Sequence, residues 1–425
     1  MDYKKKYLKY KQKYLNLLKD QKGGEPYLID LLAKKALLWL FAKNQRQLEF
    51  IFTGRQISFT MPPLENITLN HKYRLSLLTK GSLSVVLASK LVPNKYLARR
   101  ILSRLHVFLP ISPPTCIANI PGHTNSVGSI AFHPTQSIIV SASVDGMVKL
   151  WDCRNPRYPT HIRDLFKFKQ NVSSIVFHPN PNLHLLAISS VDKTVKLWDC
   201  IDPRNPAFKA DLTGHTDYVT SVAFHPTLPY LVSSSFDSTI KLWDCLNPQN
   251  PFIRDLQHAH NDWVHSVVFH PTLHLLASCS NKTIILWHCA IPQNPAILTT
   301  IQPQENDRMD SISFHPTLPL LASTTWSRII KLWNFSDLHN PSVVAELTDH
   351  QFKVLKVAFH PTLPFLASSS IDRTVKLWNC SDLQNEPTLE ANLTGHDDHV
   401  LCVAFHPNLP LIVSGSRDKT IKLWK

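Results

Sequence analysis

Serine, histidine and aspartate, the trio that builds a nucleophilic hydrolase, recur together along this chain of 425 residues. His123, Ser141 and Asp145 form one group, and His215, Ser233 and Asp237 another. His350, Ser368 and Asp372 follow, then His396, Ser414 and Asp418. Each group ends on a tryptophan: Trp151, Trp243, Trp378 or Trp424. An active site needs its nucleophile and base once, and a reactive serine needs a strained turn such as Gly-x-Ser-x-Gly to present it. The sequence has no such turn. Four copies, each tied to a tryptophan, read as repeated architecture and not as one active site. The chain is therefore expected to be non-enzymatic. Metal chemistry is not indicated either. There is no Cys-x-x-Cys pair, seven of the 22 histidines belong to a repeated Phe-His-Pro, and Cys153, Cys200, Cys245, Cys289 and Cys380 share one place, two residues after a tryptophan. No cofactor is implied.

What must position these residues is a repeat. "FHPTLPLLAS" opens at Phe314, "FHPTLPFLAS" at Phe359 and "FHPTLHLLAS" at Phe269, with looser copies from Phe132, Phe177, Phe224 and Phe405. Each unit closes on a run ending in tryptophan, from "MVKLWD" at Trp151 to "TIKLWK" at Trp424, and the spacings are 47, 45, 44, 46, 45 and 46 residues. Within a unit apolar and polar residues alternate with period two, as in "VTSVAFHP" from Val219, and turn residues separate the runs. Four short strands fit each unit, so residues 115–425 are expected to be all-β. Proline in His-Pro presets the backbone angle and cannot donate to a ladder, which marks the first turn of each unit. "NPQNP" from Asn247 marks the turn to the outer strand.

Gly-His near the start of a unit, Asp in the hairpin before the last strand and Trp-Asp at its end resemble the WD40 repeat. The resemblance covers residues 115–425. It implies a seven-bladed β-propeller with a His, Ser, Asp and Trp set in each blade. It also implies that an N-terminal strand, residues 115–120, completes the last blade beside the strand ending at Trp424, removing two open sheet edges. Three blades depart from the pattern. Blade two has Phe168 and Ile188 at the His and Ser places, blade five has Glu305 and Ser327 where His and Asp belong, and blade four has Asn281 after a one-residue deletion.

Function belongs where the repeats disagree. Six residues before each repeated Phe stand Ser126, Asn171, Tyr218, Trp263, Arg308, Lys353 and His399. Just before the hairpin Asp position stand Val144, Val191, Phe236, Trp326, Ile371 and Arg417. Both sets are expected on one rim, opposite the proline-rich turns. Tyr, Trp and Arg dominate binding hot spots, so Tyr218, Phe236, Trp263, Arg308, Trp326, Lys353 and Arg417 are the candidate protein-binding residues, with blade five foremost.

The charge lies elsewhere. Residues 1–114 hold 21 Lys+Arg against 6 Asp+Glu, whereas residues 115–425 hold 24 against 25. Tyr3, Tyr7, Tyr10, Tyr14 and Leu17 make a helical stripe flanked by lysines and ended by Gly23-Gly24. This leader, residues 1–24, resembles Lys/Tyr-rich leaders of giant DNA virus proteins and could meet an anionic surface or nucleic acid. Residues 25–114 hold two further amphipathic pieces, "YLIDLLAKKALLWLFAK" from Tyr27 and "NKYLARRILSRLHVFL" from Asn94, around a β-like run, "LEFIFTGRQISF". The N-terminal region is thus expected to be basic and mainly α-helical. No apolar run is long enough to span a bilayer and no secretory signal is evident, so the chain is expected inside the cell, in the cytoplasm, of a host if viral. The reading is a protein-interaction scaffold whose N-terminal region localises it or recruits a second partner. The alternative is the substrate-recognition subunit of a ubiquitin ligase with an F-box-like module in residues 26–114, although the Leu-Pro start of an F-box is missing. The sequence leaves oligomeric state open.

Overall fold

The alternating runs become seven four-stranded antiparallel sheets, one per repeat. The computed structural model describes residues 114–247, 251–256, 260–302, 308–381 and 387–425, and the backbone of Leu48–Phe52 and Arg55–Phe59. The chain divides into two compact units, Met1–Ser112 and Pro113–Lys425. In the first, Leu48–Phe52 pairs antiparallel with Arg55–Phe59, so the β-like run is a strand pair. The helices expected around it lie outside the described residues.

In the second unit, blade one consists of Val127–Phe132, Ile138–Ser143, Met147–Asp152 and Thr160–Lys167, in that order from the inside out. Blades two to six repeat this order, and their first strands adjoin one another around a closed ring. In blade seven the outer place is taken by Cys116–Pro121, paired with Thr420–Trp424. Thr115 and Lys425 exchange two backbone hydrogen bonds of 3.0 Å beside that pair. The closure expected for residues 115–120 is present.

Burial explains the sequence of each strand. The second strand is sandwiched between neighbouring blades, so "IIVSAS" and "LLASCS" are buried at every residue and read as runs of apolar and small side chains. The outer strand has one wet face, so "TLEANL" buries only Ala391 and Leu393. The core lies between blades. Leu185, Ala187 and Leu197 of blade two, for instance, pack with Val222, Phe224 and Trp243 of blade three.

The repeated Phe-His-Pro does more than turn the chain. In blade one, His133 Nδ1 accepts the N–H groups of Thr135 at 3.3 Å and Gln136 at 3.1 Å, shaping the turn. Its ring also meets Phe177 of the next blade at 5.0 Å. The same contact runs from His178 to Phe224, His225 to Phe269, His270 to Phe314, His315 to Phe359 and His360 to Phe405, and His406 closes the circle on Phe132 at 4.8 Å. The proline-rich turns share one side of the ring: the N–H two residues after the closing Trp bonds back to the first turn, as from Cys245 to Pro229 and from Cys380 to Pro364.

Candidate protein-docking surface

The Ser, His and Asp groups come together as a skeleton. In blade three, Trp243 Nε1–H donates to Ser233 Oγ at 2.8 Å, and Ser233 Oγ lies 2.8 Å from His215 Nε2. His215 Nδ1 lies 2.8 Å from Asp237 Oδ2. Blade six repeats this with Trp378, Ser368, His350 and Asp372, and blade seven with Trp424, Ser414, His396 and Asp418. Burial raises the Asp237 carboxyl, but hydrogen bonds from His215, Thr239 and the Thr216 amide outweigh it and hold the group well below the usual carboxylate range. Ser233, Ser368 and Ser414 are wholly buried. A hydroxyl committed to an indole and an imidazole with no access to solvent is not placed to attack a substrate.

Blade one is looser than expected. His123 and Trp151 hold Ser141, both at 2.8 Å. Asp145 Oδ2, however, stays 3.5 Å from His123 Nδ1 and accepts from the Thr124 N–H and hydroxyl instead. In blade four the aspartate's role passes to Thr283, whose Oγ1 lies 2.8 Å from His260 Nδ1, while Asn281 turns to Asp262 and His265. Ser327 of blade five bonds its neighbour Thr325, and Glu305 lies outside the described residues. In blade two, Phe168 and Ile188 are buried, and the Trp198 indole N–H is left without a partner.

The hairpins held in this way carry the variable rim. Their tight corners put Lys193, Ser238, Arg328, Arg373 and Lys419 at positive φ. The aspartate offsets this strain: Asp237 Oδ1 accepts the Thr239 N–H at 2.9 Å, closing a side-chain turn. The residue before that aspartate position donates its N–H to the carbonyl of the residue six before the repeated Phe. Phe236 bonds Tyr218 O at 3.0 Å, Trp326 bonds Arg308 O at 2.9 Å, Ile371 bonds Lys353 O at 3.0 Å and Arg417 bonds His399 O at 2.8 Å. The two variable positions of a blade are thus adjacent, on the side away from the His-Pro turns.

Two clusters form there. Phe236 stacks on Trp263 of the next blade, with centroids 4.5 Å apart and planes at 17°, and Tyr218 lies 6.0 Å from Phe236. Further round, Trp326 is clamped between cations: Arg308 lies 5.1 Å and Lys353 Nζ 3.7 Å from its ring centroid. Asp310 ties the second cluster together, accepting from Trp326 Nε1 at 3.1 Å and pairing with Lys353 Nζ at 2.5 Å. Trp263 and Trp326 remain 49% and 46% exposed and Tyr218 43%, so these rings are fixed in place yet open to a partner. Arg417 stands apart from both clusters, in blade seven, 3.8 Å from Asp398.

Asp310, His265 and Phe352 were missed in the sequence reading. Asp310 and His265 occupy the place four residues before the repeated Phe, where other blades have Gly128, Ser173, Thr220, Leu355 and Leu401; that disagreement was a legible signal. His265 lies 5.5 Å from Phe236, and Phe352 is exposed beside Lys353. The cysteines take no part. All eight are free, and burial pushes the thiols of Cys153, Cys200, Cys289 and Cys380 up to about 12.

Comparison with known proteins places this geometry. The chain is 34% identical over 67 residues to the target of rapamycin complex subunit LST8 of Saccharomyces cerevisiae, a match of 16% of this chain and 21% of the relative. It is 39% identical over 59 residues to the target of rapamycin complex subunit wat1 of Schizosaccharomyces pombe, covering 14% of this chain and 18% of that one. The chain thus spans about a fifth of the length of these relatives. The family model described as WD domain, G-beta repeat matches seven times, at residues 114–152, 161–199, 207–244, 252–288, 297–334, 341–379 and 387–425. With seven matched repeats folded as seven blades closed by an N-terminal strand, the chain belongs to the WD40-repeat family.

Proposed function

We propose that this protein is a non-catalytic interaction scaffold in the cytoplasm that docks another protein on the rim of blades three to six. The observation that carries the reading is the pair of ordered, exposed ring clusters, Tyr218–Phe236–Trp263 and Arg308–Trp326–Lys353. Aromatic and arginine side chains fixed before binding lose little conformational freedom on docking, which makes them effective anchors. The two relatives are named as subunits of a complex, which accords with a propeller that works by holding partners. The basic residues 1–114 supply a second attachment, to another protein or an anionic surface.

The test is affinity purification with mass spectrometry, comparing the full chain with the double variant Arg308→Ala, Trp326→Ala. A partner kept by the full chain and lost by the variant supports the rim. Partners that follow residues 1–114 and ignore the rim changes contradict it. Recovery of ligase adaptor proteins through residues 26–114 would favour the ubiquitin-ligase alternative.

A further inference from the structure

The rim holds its own cations in two ways. In blade seven Asp398 stands seven residues before the repeated Phe, and its carboxylate accepts the N–H of the next residue, His399, at 2.7 Å. Arg417, just before the hairpin aspartate of the same blade, answers that carboxylate at 3.8 Å. In blades five and six the cations go to an aromatic ring instead: Arg308 and Lys353 lie 5.1 and 3.7 Å from the Trp326 centroid. Exposed rings on the outer strands are treated alike. Phe208 carries Lys196 at 5.9 Å and Phe252 carries Lys241 at 5.4 Å.

Blades three and four combine both receptors and have a cation for neither. Asp217 and Asp262 occupy the place of Asp398. Each accepts the N–H of the ring-bearing residue that follows, Tyr218 or Trp263, at 2.8 Å. Asp262 is further held by Asn281, which donates to its second oxygen at 3.0 Å and meets His265 at 2.9 Å, and the His265 ring lies 5.5 Å from Phe236. In blade three, however, the place of Arg417 is taken by Phe236. Among the described residues neither aspartate has an ion-pair partner, and no Lys or Arg lies over Tyr218, Phe236 or Trp263. Lys193 of blade two comes near but spends its amine on the Thr216 carbonyl at 2.7 Å, and the exposed Lys282 of blade four pairs with neither aspartate.

We propose, resting on the rim reading above, that the Tyr218–Phe236–Trp263 cluster docks an arginine side chain of a protein partner, with Asp217 and Asp262 supplying the opposite charge. The incoming guanidinium would do for Asp217 what Arg417 does for Asp398, and for the exposed rings what Arg308 does for Trp326. A guanidinium fits because it is planar: it stacks on a ring face while its N–H groups donate in the plane to a carboxylate. An ammonium is a compact, strongly hydrated charge and gains less from a stacked face. The two unpaired carboxylates repel phosphates, so the same rings are a poor seat for the bases of a nucleic acid.

The experiment is selection of a random-peptide phage library on the full chain, followed by fluorescence anisotropy of the selected peptides. Wild type is compared with Trp263→Ala, Trp326→Ala and the double variant Asp217→Asn, Asp262→Asn, each checked by thermal unfolding. Asparagine is a conservative choice, since Asn125 fills the same place in blade one and its side chain accepts the Ser126 N–H at 2.8 Å. Enriched peptides are expected to share an arginine. Replacing it by citrulline, which keeps the shape and removes the charge, should weaken wild-type binding by about tenfold or more. Trp263→Ala and the double variant should each cost a similar factor, and the double variant should bind arginine and citrulline peptides alike. Peptides that need Trp263 but lose nothing on citrulline replacement, or that accept lysine equally well, overturn the arginine inference and leave the rim reading intact. Arginine peptides indifferent to the double variant overturn it too, as does an empty selection. Peptides indifferent to both Trp263→Ala and Trp326→Ala overturn the rim reading itself.

Discussion

Ser233 shows what a single hydroxyl does here. It accepts from the Trp243 indole and faces His215 Nε2 at the buried centre of blade three. Ser233→Ala removes no packing volume to speak of, yet it strands a buried donor and a buried acceptor. The expected loss is about 2–4 kcal/mol, read by denaturant unfolding. A loss below about 0.5 kcal/mol would mean that the set is ornamental. The groups at Ser233, Ser368 and Ser414 were legible because four residue types recurred at fixed intervals. The substitution of Thr283 for an aspartate was not, because a one-residue deletion hides which side chain the fold brings under His260. The break at Asp145 was subtler: the four named residues match the pattern, but Met147 stands where Thr239, Thr374 and Thr420 donate to their aspartates, and the Thr124 hydroxyl donates to Asp145 Oδ2.

At the scale of the element, the His-Pro turns knit each blade to the next, and they make the fold sensitive to acid. Burial pushes His133, His225, His270, His315 and His360 down from 6.5 to about 4. Their Nδ1 atoms accept backbone N–H groups, which requires the neutral ring. A depressed histidine means that the unfolded chain takes up the proton first. The stabilisation is therefore complete above about pH 6.5 and is lost as the pH falls from there towards about 4. The melting temperature should drop steeply across that window, and His315→Asn should flatten the slope even though it lowers the melting temperature at neutral pH. An unchanged slope would contradict the assignment. The turns and strands were readable from period-two alternation and proline placement. The ring-to-ring contacts were not, because periodicity within a repeat says nothing about which residue of the next repeat lies opposite.

For the whole molecule, closure matters more than any one blade. Ala118 and Ile120 of the N-terminal strand are buried with Ile421 and Leu423 of the last. Ile120→Asp puts an unpaired charge into that seam and should cost about 3–5 kcal/mol, much as Ile421→Asp would. The freed edge of Thr420–Trp424 should also promote self-association, visible by size-exclusion chromatography with light scattering. A monomeric Ile120→Asp protein of wild-type stability would show that the ring closes without its seam. The number of blades and the closing strand were legible from the count of repeats and the unpaired segment before the first Gly-His. Asp310 escaped because its partner Lys353 belongs to the next blade, which only the closed ring brings near it.

The central claim is that the rim of blades three to six is the working surface, and the most direct measurement is the dissociation constant of the purified partner. Wild type would be compared with Phe236→Ala plus Trp263→Ala, with Arg308→Ala plus Trp326→Ala, and with Leu273→Ala, an exposed residue of the opposite, proline-rich side. Each rim pair should weaken binding by roughly thirtyfold or more with little change in melting temperature, while Leu273→Ala leaves it unaltered. Equal affinities for wild type and both rim pairs, with all proteins folded, would contradict the account.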